Sequence, residues 1–428
     1  MSTPVEAVQT ERLAIDGGVT ARTRPDPPMY PGGNLIGPEE EAAVLEVIRS
    51  KRLFRYYGPQ PGPSKVAEFE QAFAAHMGVP YAVAVSSGTG ALMCGGAGIG
   101  IGPGDEVIVP AYTFIAPVAS VALLGAVPIL AEVDETLTLD PADVERKITP
   151  RTKAILAVHM RGAAAHMQEL QALARARDLR VIEDVAQANG GTYRGQRLGS
   201  LGDVGCYSLQ FNKVITCGEG GVVVTSDETI HQRALMLQDT VGGPRNHIPP
   251  THALFGMNYR MTELAGAVAL VQLGRLDGLI ETMRTRKRAL KEGMADALTR
   301  AGGQFRVLSD PAGEAAIALI FFMPTVDLAQ RAIQALKAEN IGASALYDPD
   351  RVDYHVYAHW APILAQRSWA PQGGPWRWGE PVTYSPDMCP RTLDLLGRAV
   401  HLNVNPLFTD DDIAETVVGL NKVLTALA

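Results

Sequence analysis

Lys213 is the residue of this chain whose surroundings most strongly indicate chemistry. It lies between the apolar run 204–209 and the glycine-rich turn 218–221, and no charged residue occurs within five positions on either side. Most lysines are solvated surface charges, but these flanks indicate burial. A buried lysine is stable only if its pKa falls or its nitrogen is bonded. An imine to an aldehyde cofactor meets that requirement, so Lys213 is a candidate covalent anchor.

A candidate anion site lies far upstream of Lys213. The segment Ser86-Ser87-Gly88-Thr89 joins a strand-like run to a helical one. Free N–H groups at a helix N-terminus, together with serine and threonine hydroxyls, can hold an anion. A plain capping turn is the alternative interpretation.

An acidic residue and an aromatic residue follow two other strand-like runs. Asp184 ends the apolar run 180–184, at the edge where open α/β sheets bind ligands. A carboxylate there could keep a pyridine nitrogen protonated, which makes the ring an electron sink. Phe114 follows the run 107–110 and could stack on a planar cofactor. The alternatives are a helix cap for Asp184 and a core position for Phe114.

These residues need a scaffold that brings strand ends together. Strand-like runs, mostly apolar on both faces, alternate with helical segments between residues 81 and 226. This pattern predicts about seven strands in a mostly parallel sheet covered by helices on both sides. We expect an N-terminal arm over 1–35, a large α/β domain over 36–285 and a smaller α/β domain over 286–428. The small domain should contain a βαβ-like unit built from the runs 317–323, 326–340 and 343–347.

Composition excludes several classes of protein. The net charge of -8 and the lack of a basic patch argue against nucleic-acid binding. The first residues lack the layout of a signal peptide, and the apolar run 118–130 is too short to span a bilayer. The four cysteines are scattered without CxxC spacing, which predicts neither a zinc site nor a disulfide framework. A reducing cytoplasm is therefore the expected location, with no metal and no membrane partner.

Five motifs together resemble those of one family. SSGTGAL, VPAYTF, VIEDVAQANG, GDVGCYSLQFNKVITCGEGG and GMNYRMTEL are similar to motifs of the DegT/DnrJ/StrS family of pyridoxal-phosphate aminotransferases. The resemblance runs from about residue 35 to the C-terminus and is tightest over 80–270. It implies the pyridoxal-phosphate transferase fold of type I.

The resemblance also implies roles around the cofactor ring. Lys213 would be the Schiff-base lysine, and Asp184 would pair with the pyridine nitrogen. Phe114 would stack on the ring, and Gln187 would lie near the ring or its phenolic oxygen. These roles are expectations from the family pattern.

Further implied roles concern the phosphate group. Gly88, Thr89 and Ser208 would hold the phosphate of the cofactor. Asn258, by itself only part of a helix-capping signal, is similar to the residue that the family sends to the phosphate of the neighbouring subunit. A homodimer with shared active sites is therefore implied.

The implied activity is transfer of an amino group from glutamate or glutamine to a keto sugar or keto-cyclitol, in amino-sugar or antibiotic biosynthesis. Pyridoxamine 5'-phosphate would be the intermediate form of pyridoxal 5'-phosphate. A branch of the family that removes a hydroxyl has histidine in place of the lysine, so Lys213 favours amino transfer. A dehydratase or other pyridoxal-phosphate chemistry and a non-catalytic regulator remain alternatives. A nicotinamide oxidoreductase is disfavoured, because the glycines of 95–102 fit no GxGxxG register.

Residues that bind the acceptor are the least determined part of the site. The candidates are Tyr57, Arg161, Tyr354, His355 and His401, and ordinary packing is the alternative for each. Arg161 stands where many relatives have an aromatic residue, and it could bind a donor carboxylate or an acidic substrate group, or be a surface charge. His355 and His359 have i,i+4 spacing but lack the glutamate of an HExxH motif, so no zinc site is expected.

Overall fold

The computed structural model describes residues 12–59, 61–370 and 373–428. Within them the strands are β1 (Tyr81–Val85), β2 (Glu106–Pro110), β3 (Val127–Ala131), β4 (Thr152–Val158), β5 (Arg180–Asp184), β6 (Thr192–Tyr193), β7 (Gln196–Arg197), β8 (Val204–Ser208), β9 (Gly221–Thr225), β10 (Gln304–Phe305), β11 (Ala318–Phe322), β12 (Ala343–Ala345) and β13 (Ala399–Asn403). The α-helices are α1 (Pro38–Ser50), α2 (Lys65–Met77), α3 (Gly88–Gly98), α4 (Ile115–Leu123), α5 (Pro141–Lys147), α6 (Met167–Arg177), α7 (Glu228–Gln238), α8 (Gly242–Arg245), α9 (Glu263–Leu273), α10 (Leu276–Arg300), α11 (Val326–Ala338), α12 (Ala361–Leu364), α13 (Pro390–Arg398) and α14 (Asp410–Leu427).

A seven-stranded sheet in the order β1-β9-β8-β5-β4-β2-β3 forms the centre of the large domain. Only β9 of this sheet runs antiparallel to its neighbours, which confirms the predicted mostly parallel arrangement. Along β1, Ala82 and Ala84 belong to one apolar cluster, whereas Val83 and Val85 belong to a second. Both faces of the sheet are therefore buried, as runs without polar alternation predict.

The parallel strands bring the predicted chemical residues to one edge. Asp184 is the last residue of β5, and it pairs across the sheet with Val158 of β4 and Cys206 of β8. Ser208 ends β8 on the same side. Because parallel strands have their carboxyl ends at one edge, the loops after β2, β4, β5 and β8 converge there.

A four-stranded antiparallel sheet in the order β10-β11-β13-β12 forms the smaller unit. The predicted strand, helix and strand are present as β11, α11 and β12, but β13 lies between the two strands and pairs with both. His401 is in β13. The expected simple βαβ pair is thus split by a strand from much later in the chain.

The connection between the large and small units is helical. The 25-residue helix α10 runs through residue 285, where the sequence places the domain boundary. The predicted helical region 262–301 is interrupted once, between α9 and α10. No helix in the described residues is long and apolar enough to cross a membrane.

The N-terminal arm packs along the small unit. Backbone N–H groups of Ala14 and Ala21 donate to the buried Glu339 carboxylate at 2.8 and 2.7 Å. The fully buried Arg22 guanidinium bonds Asp412 at 2.9 Å. These contacts fix the path of the arm from residue 12 onward.

Candidate active site

Two adjoining cavities open at the carboxyl edge of the large sheet. The Ser208 cavity, about 350 Å³, is lined by residues that follow the parallel strands. The Arg161 cavity, about 360 Å³, lies between those loops, the N-terminal arm and the small sheet. The two cavities share the lining residues Ala186, Gln187, Asn212, Lys213 and His355. They therefore form one continuous site with Lys213 at the junction.

Lys213 lies in the irregular segment between β8 and β9, and its backbone N–H donates to the carbonyl of Gln210 at 2.9 Å. Burial lowers the pKa of the Lys213 amine, against the opposing charge of Asp184. The positive charge of Arg161 lowers this pKa further. The site therefore favours the neutral amine, the form that adds to a carbonyl carbon.

The Asp184 side chain is 5% exposed, and its Oδ1 accepts a hydrogen bond from the backbone N–H of Ala186 at 2.9 Å. Burial raises the pKa of this carboxyl, and the Ala186 hydrogen bond and the charges of Lys213 and His159 oppose the rise. A buried carboxylate in this setting is stabilised by a cationic N–H partner inside the cavity.

A hydrogen-bond network that the sequence analysis did not predict lies behind Asp184. His159 Nδ1 accepts from the Ala165 N–H at 3.0 Å, so Nε2 carries the proton and donates to Glu183 at 2.9 Å. Glu183 also accepts from three backbone N–H groups, those of Gly199, Leu201 and Gly202. Although Glu183 precedes Asp184 in sequence, its carboxylate is fully used in fixing this loop. Only Asp184 faces the cavity.

The start of α3 and the end of β8 form the narrow end of the Ser208 cavity. Ser87 caps the helix, with its Oγ accepting from the Gly90 N–H at 2.9 Å. A Cβ on Gly88 would lie 2.7 Å from Ser208 Cβ, so only glycine allows this close approach. Thr89 lines the same end. Hydroxyls and unpaired helix N–H groups therefore surround a space suited to a phosphate.

Phe114 and His355 line the wide part of the same cavity. Phe114 is 46% exposed, and its ring centroid lies 5.4 Å from that of His355. The His355 carbonyl accepts from the Thr113 N–H at 2.9 Å, and its Nδ1 lies 2.8 Å from Asp353 Oδ1. His355, a predicted substrate residue, is thus held beside Phe114 by the segment that follows β12.

The Arg161 cavity contains two further predicted substrate residues. Arg161 follows β4, and its N–H donates to Gln187 Oε1 at 3.3 Å. His401 of β13 is 5% exposed, and burial together with the charges of Arg161 and Arg306 lowers its pKa well below 6.5. The imidazole is therefore neutral, and Asn403 lines the cavity beside it.

Three predicted residues lie outside both cavities within one chain. Tyr57 is 66% exposed and packs against Phe54 at a ring-centroid distance of 4.7 Å. Tyr354 is 50% exposed. Asn258 is exposed as well, although the next residue, Tyr259, accepts from the Ser86 N–H at 2.7 Å. Asn258 thus lies near the α3 capping turn but does not line the Ser208 cavity of the same subunit.

The arm supplies residues that the sequence analysis did not identify. Met29, Tyr30 and Pro31 line the Arg161 cavity, and the Tyr30 ring lies 5.0 Å from that of Phe211. The Pro- and Gly-rich composition of the arm gave no signal for this position. Among the described residues no group of three or more histidine, cysteine or acidic side chains is arranged to hold a metal ion.

Comparisons with known proteins identify relatives of this chain. A model of the DegT/DnrJ/EryC1/StrS aminotransferase family matches residues 34–367. The chain is 33% identical over 432 residues to the L-glutamine:2-deoxy-scyllo-inosose aminotransferase of Streptomyces fradiae, covering 96% of this chain and 97% of the relative. It is 45% identical over 213 residues to the GDP-perosamine synthase of Caulobacter vibrioides, covering 50% of this chain and 57% of that relative.

A similar fold occurs among solved structures. The structure of 3-amino-5-hydroxybenzoic acid synthase superposes with a TM-score of 0.77 at 27% identity, over 94% of this chain and 99% of that chain. The match includes both the large sheet and the smaller unit, since it spans nearly the whole chain.

Proposed function

This chain belongs to the DegT/DnrJ/EryC1/StrS aminotransferase family, and we propose that Lys213 and Asp184 are its central catalytic residues. It is a pyridoxal 5'-phosphate-dependent aminotransferase of fold type I. It moves an amino group from glutamate or glutamine to a keto sugar or keto-cyclitol, in amino-sugar or antibiotic biosynthesis. The observation that carries the catalytic proposal is the placement of Lys213 and Asp184 in one buried cavity at the sheet edge.

The residues of the Ser208 cavity fit the cofactor. Ser87, Gly88, Thr89 and Ser208 would hold its phosphate, at the point where a Cβ on Gly88 would fill the space against Ser208. Asp184 would pair with the ring nitrogen. Phe114 would cover the ring, and Gln187 would lie on its other side or near the phenolic oxygen. Pyridoxal phosphate, when bound, supplies an electron sink for the negative charge left at a deprotonated carbon.

The protein's own residues supply binding and proton transfer. Lys213, whose pKa is lowered by burial, is placed to take the proton from the α-carbon of the donor amino acid. Because the amine is tethered in the cavity, this transfer is effectively intramolecular. The negative charge of Asp184 would hold a proton at the ring nitrogen of the bound cofactor, and the His159–Glu183 pair behind it keeps the loop fixed. Phe114 and His355 line the cavity beside each other.

For the finer identity of the substrates, we propose L-glutamine as donor and a keto-cyclitol as acceptor. The Streptomyces fradiae relative, which aligns over nearly its whole length, is named for this pair. A keto sugar is the second candidate, because the GDP-perosamine synthase matches half of this chain at higher identity. The expected cytoplasmic location stays a prediction.

Spectroscopy of the purified protein tests the catalytic proposal. The wild type should be yellow, and L-glutamine should convert its spectrum to that of the pyridoxamine form. Lys213→Ala should remove both properties. Turnover by Lys213→Ala would refute the mechanism, whereas a wild type that binds cofactor but responds to no donor would favour the regulator. Release of water without amino transfer would favour a dehydratase. Screening scyllo-inosose derivatives and keto sugars against the pyridoxamine form then identifies the acceptor.

We further propose a homodimer in which Asn258 serves the phosphate site of the partner subunit. Asn258 is exposed, and the segment before it carries Leu254, Phe255 and Met257 with exposed fractions of 51%, 94% and 53%. A cluster of exposed apolar side chains of this kind is typical of a protein interface. Its position beside the α3 capping turn is compatible with a phosphate site shared across a two-fold axis.

Mixing two inactive variants tests the shared site. Asn258→Asp places a negative charge against the phosphate, and Lys213→Ala removes the amine. If Asn258 acts across the interface, mixed dimers contain one intact site, and an equal mixture recovers roughly a quarter of wild-type activity. If Asn258 acts within its own subunit, every site carries a lesion and no activity returns.

A further inference from the structure

Arg161 has an uncommon backbone conformation for a residue other than glycine. Its φ of 52° and ψ of 39° are left-handed, and the next residue, Gly162, has φ +82°. The N–H of Arg161 is held by Gln187 Oε1 at 3.3 Å. Such conformations persist where the surroundings enforce them, and they are found mainly at functional sites. Here the conformation directs the side chain into the Arg161 cavity.

The guanidinium is oriented on one side only. Its Nε donates to the hydroxyl of Tyr112 at 3.2 Å, and Tyr112 is itself fully buried. Among the described residues, no carboxylate oxygen lies within 4.0 Å of the Arg161 nitrogens. Arg161 lines the cavity, and its two terminal nitrogens form no hydrogen bond to another described residue, so their donors are available to a ligand there.

Asp353, the acidic residue whose charge acts on Arg161, is already paired with His355. Asp353 is paired with the His355 ring at 2.8 Å and accepts from the His355 N–H at 2.9 Å. Burial favours the neutral form of Asp353, but these hydrogen bonds and the charge of Arg161 outweigh it and lower its pKa to about 2. Asp353 thus stays ionised and bound to His355, and Arg161 remains without a direct counter-ion.

A second polar group faces the same space. His401 is 5% exposed, its Nδ1 lies 3.3 Å from Ser344 Oγ, and its Nε2 has no hydrogen-bond partner among the described residues. A buried polar atom without a protein partner is uncommon in folded proteins, so His401 Nε2 is available to a polar atom in the cavity. Arg161 and His401 line one wall together with Lys213.

We propose that Arg161 binds a carboxylate of the substrate through its two terminal nitrogens, with His401 Nε2 completing the contact. The inference rests on the proposed function, because the bound molecule must react at Lys213. A guanidinium fork matches the two oxygens of a carboxylate, and the pairing is strongest where water is excluded. The carboxylate is the α-carboxylate of the amino donor or an acidic group on the keto acceptor.

Half-reaction kinetics of the cofactor-loaded protein distinguish these sources. The donor arm compares L-glutamine with its α-carboxamide, and the acceptor arm compares keto acceptors with and without a carboxylate. Arg161→Gln should lower kcat/KM for the carboxylate-bearing partner by about 30-fold or more. The loss for the neutral analogue, which reports only the effect of the Arg161 charge on the Lys213 amine, should be at least about tenfold smaller. Arg161→Lys, which keeps the charge but loses the fork, should recover part of the loss.

Tyr112→Phe is the matched test of positioning. It removes the hydroxyl that orients Nε but leaves the charge in place, so its loss should be smaller and again confined to the carboxylate-bearing partner. Arg180→Gln, at an exposed arginine paired with Asp203, is the control for loss of an arginine elsewhere. An effect confined to the donor arm or to the acceptor arm supports the proposal and identifies the source. Equal losses for charged and neutral partners, or no loss in either arm, would overturn it.

A binding measurement separates failure of this inference from failure of the proposed function. Glutarate has two carboxylates and no amino group, so it can bind to the cofactor-loaded protein without turnover. Calorimetric titration should show glutarate binding to the wild type and at least about tenfold weaker binding to Arg161→Gln. If glutarate binds more weakly to Arg161→Gln but the wild type shows no amino transfer, the carboxylate site is supported and the proposed function is wrong. Equal glutarate affinity in the folded wild type and the folded variant would show that Arg161 binds no carboxylate.

Discussion

Gly88 tests the proposed phosphate site between the start of α3 and Ser208 at the end of β8. A Cβ at this position would lie 2.7 Å from Ser208 Cβ and 3.0 Å from its Oγ. Overpacking of this kind forces neighbouring groups to shift and typically costs about 1–3 kcal/mol. An alanine gains at most about 1 kcal/mol over glycine in a helix. After subtraction of this gain, we expect Gly88→Ala to destabilise the cofactor-free protein by up to about 2 kcal/mol.

Gly90, two residues further along α3, offers a matched control. A Cβ there would lie 3.3 Å from Ser87 Oγ, so that the Ser87 side chain must shift by a few tenths of an ångström, and 3.5 Å from the Tyr259 ring, which is an ordinary contact. Thermal unfolding of the cofactor-free proteins should give a lower Tm for Gly88→Ala than for Gly90→Ala. For a domain of this size, roughly 2–4 °C accompanies each kcal/mol. Titration with pyridoxal phosphate should show about tenfold weaker binding to Gly88→Ala, equivalent to about 1.4 kcal/mol.

Ser208→Gly tests whether the clash is the cause. On its own this change should weaken the strand by about 0.5–1 kcal/mol. Combined with Gly88→Ala it removes Ser208 Cβ and Oγ, the two atoms nearest to the new methyl group, so the two changes should couple by at least about 1 kcal/mol in a double-mutant cycle. If Gly88→Ala melts no lower than Gly90→Ala, or if the double variant shows no coupling, then the proposed phosphate site does not depend on the close approach of Gly88 to Ser208.

Three other variants test the electrostatics of the site. Glu183→Gln should destabilise the cofactor-free protein by about 1–3 kcal/mol in urea unfolding. The NH₂ group of glutamine is itself a donor, so it would face one of the backbone N–H groups that the carboxylate now accepts from. An unfolding free energy equal to that of the wild type would contradict this prediction. Asp184→Asn should raise the Tm of the cofactor-free protein at pH 8 while weakening cofactor binding. Because the pKa of Asp184 is raised in the folded state, the wild type loses stability as the pH rises through that pKa. The gain in Tm from Asp184→Asn should therefore shrink at lower pH, and a gain that does not vary with pH would contradict the raised pKa. Arg161→Met should raise the pKa of Lys213, read from the pH dependence of pyridoxal-phosphate attachment, whereas Arg161→Lys should leave it nearly unchanged; equal pKa values in both variants would exclude the coupling.

The sequence was sufficient to predict the large, mostly parallel sheet, and it led to the prediction that the carboxyl edge of this sheet carries the chemistry. Its strands are short apolar runs between helices, and this local pattern also dictates parallel pairing. Parallel strands have their carboxyl ends at one edge, and the observed pairing of β5 with β8 then brings Asp184 close to the loop that carries Lys213. These parts of the site depend on local sequence and on one topological rule.

The acceptor side could not be predicted in the same way. His401 reaches the cavity because β13 inserts between β11 and β12, a non-local pairing that no periodicity specifies. The role of Glu183 was equally hidden, because its carboxylate is satisfied by backbone N–H groups from the loop 199–202. A sequence shows that a side chain is acidic, but only the folded loop shows how many donors surround it.

The division of the site into two cavities explains why the residues proposed to hold the cofactor form a more compact group than the candidate substrate residues. Apart from His355, the Ser208 cavity is built from the large domain, where a single sheet edge fixes every position. The Arg161 cavity requires the end of β4, the arm at residues 29–31 and β13 of the small sheet. Substitutions in the arm or in β13 can therefore change which molecule is bound without disturbing the Lys213–Asp184 pair. Arg161 joins the two parts, because its charge acts on the Lys213 amine while its terminal nitrogens face the substrate space.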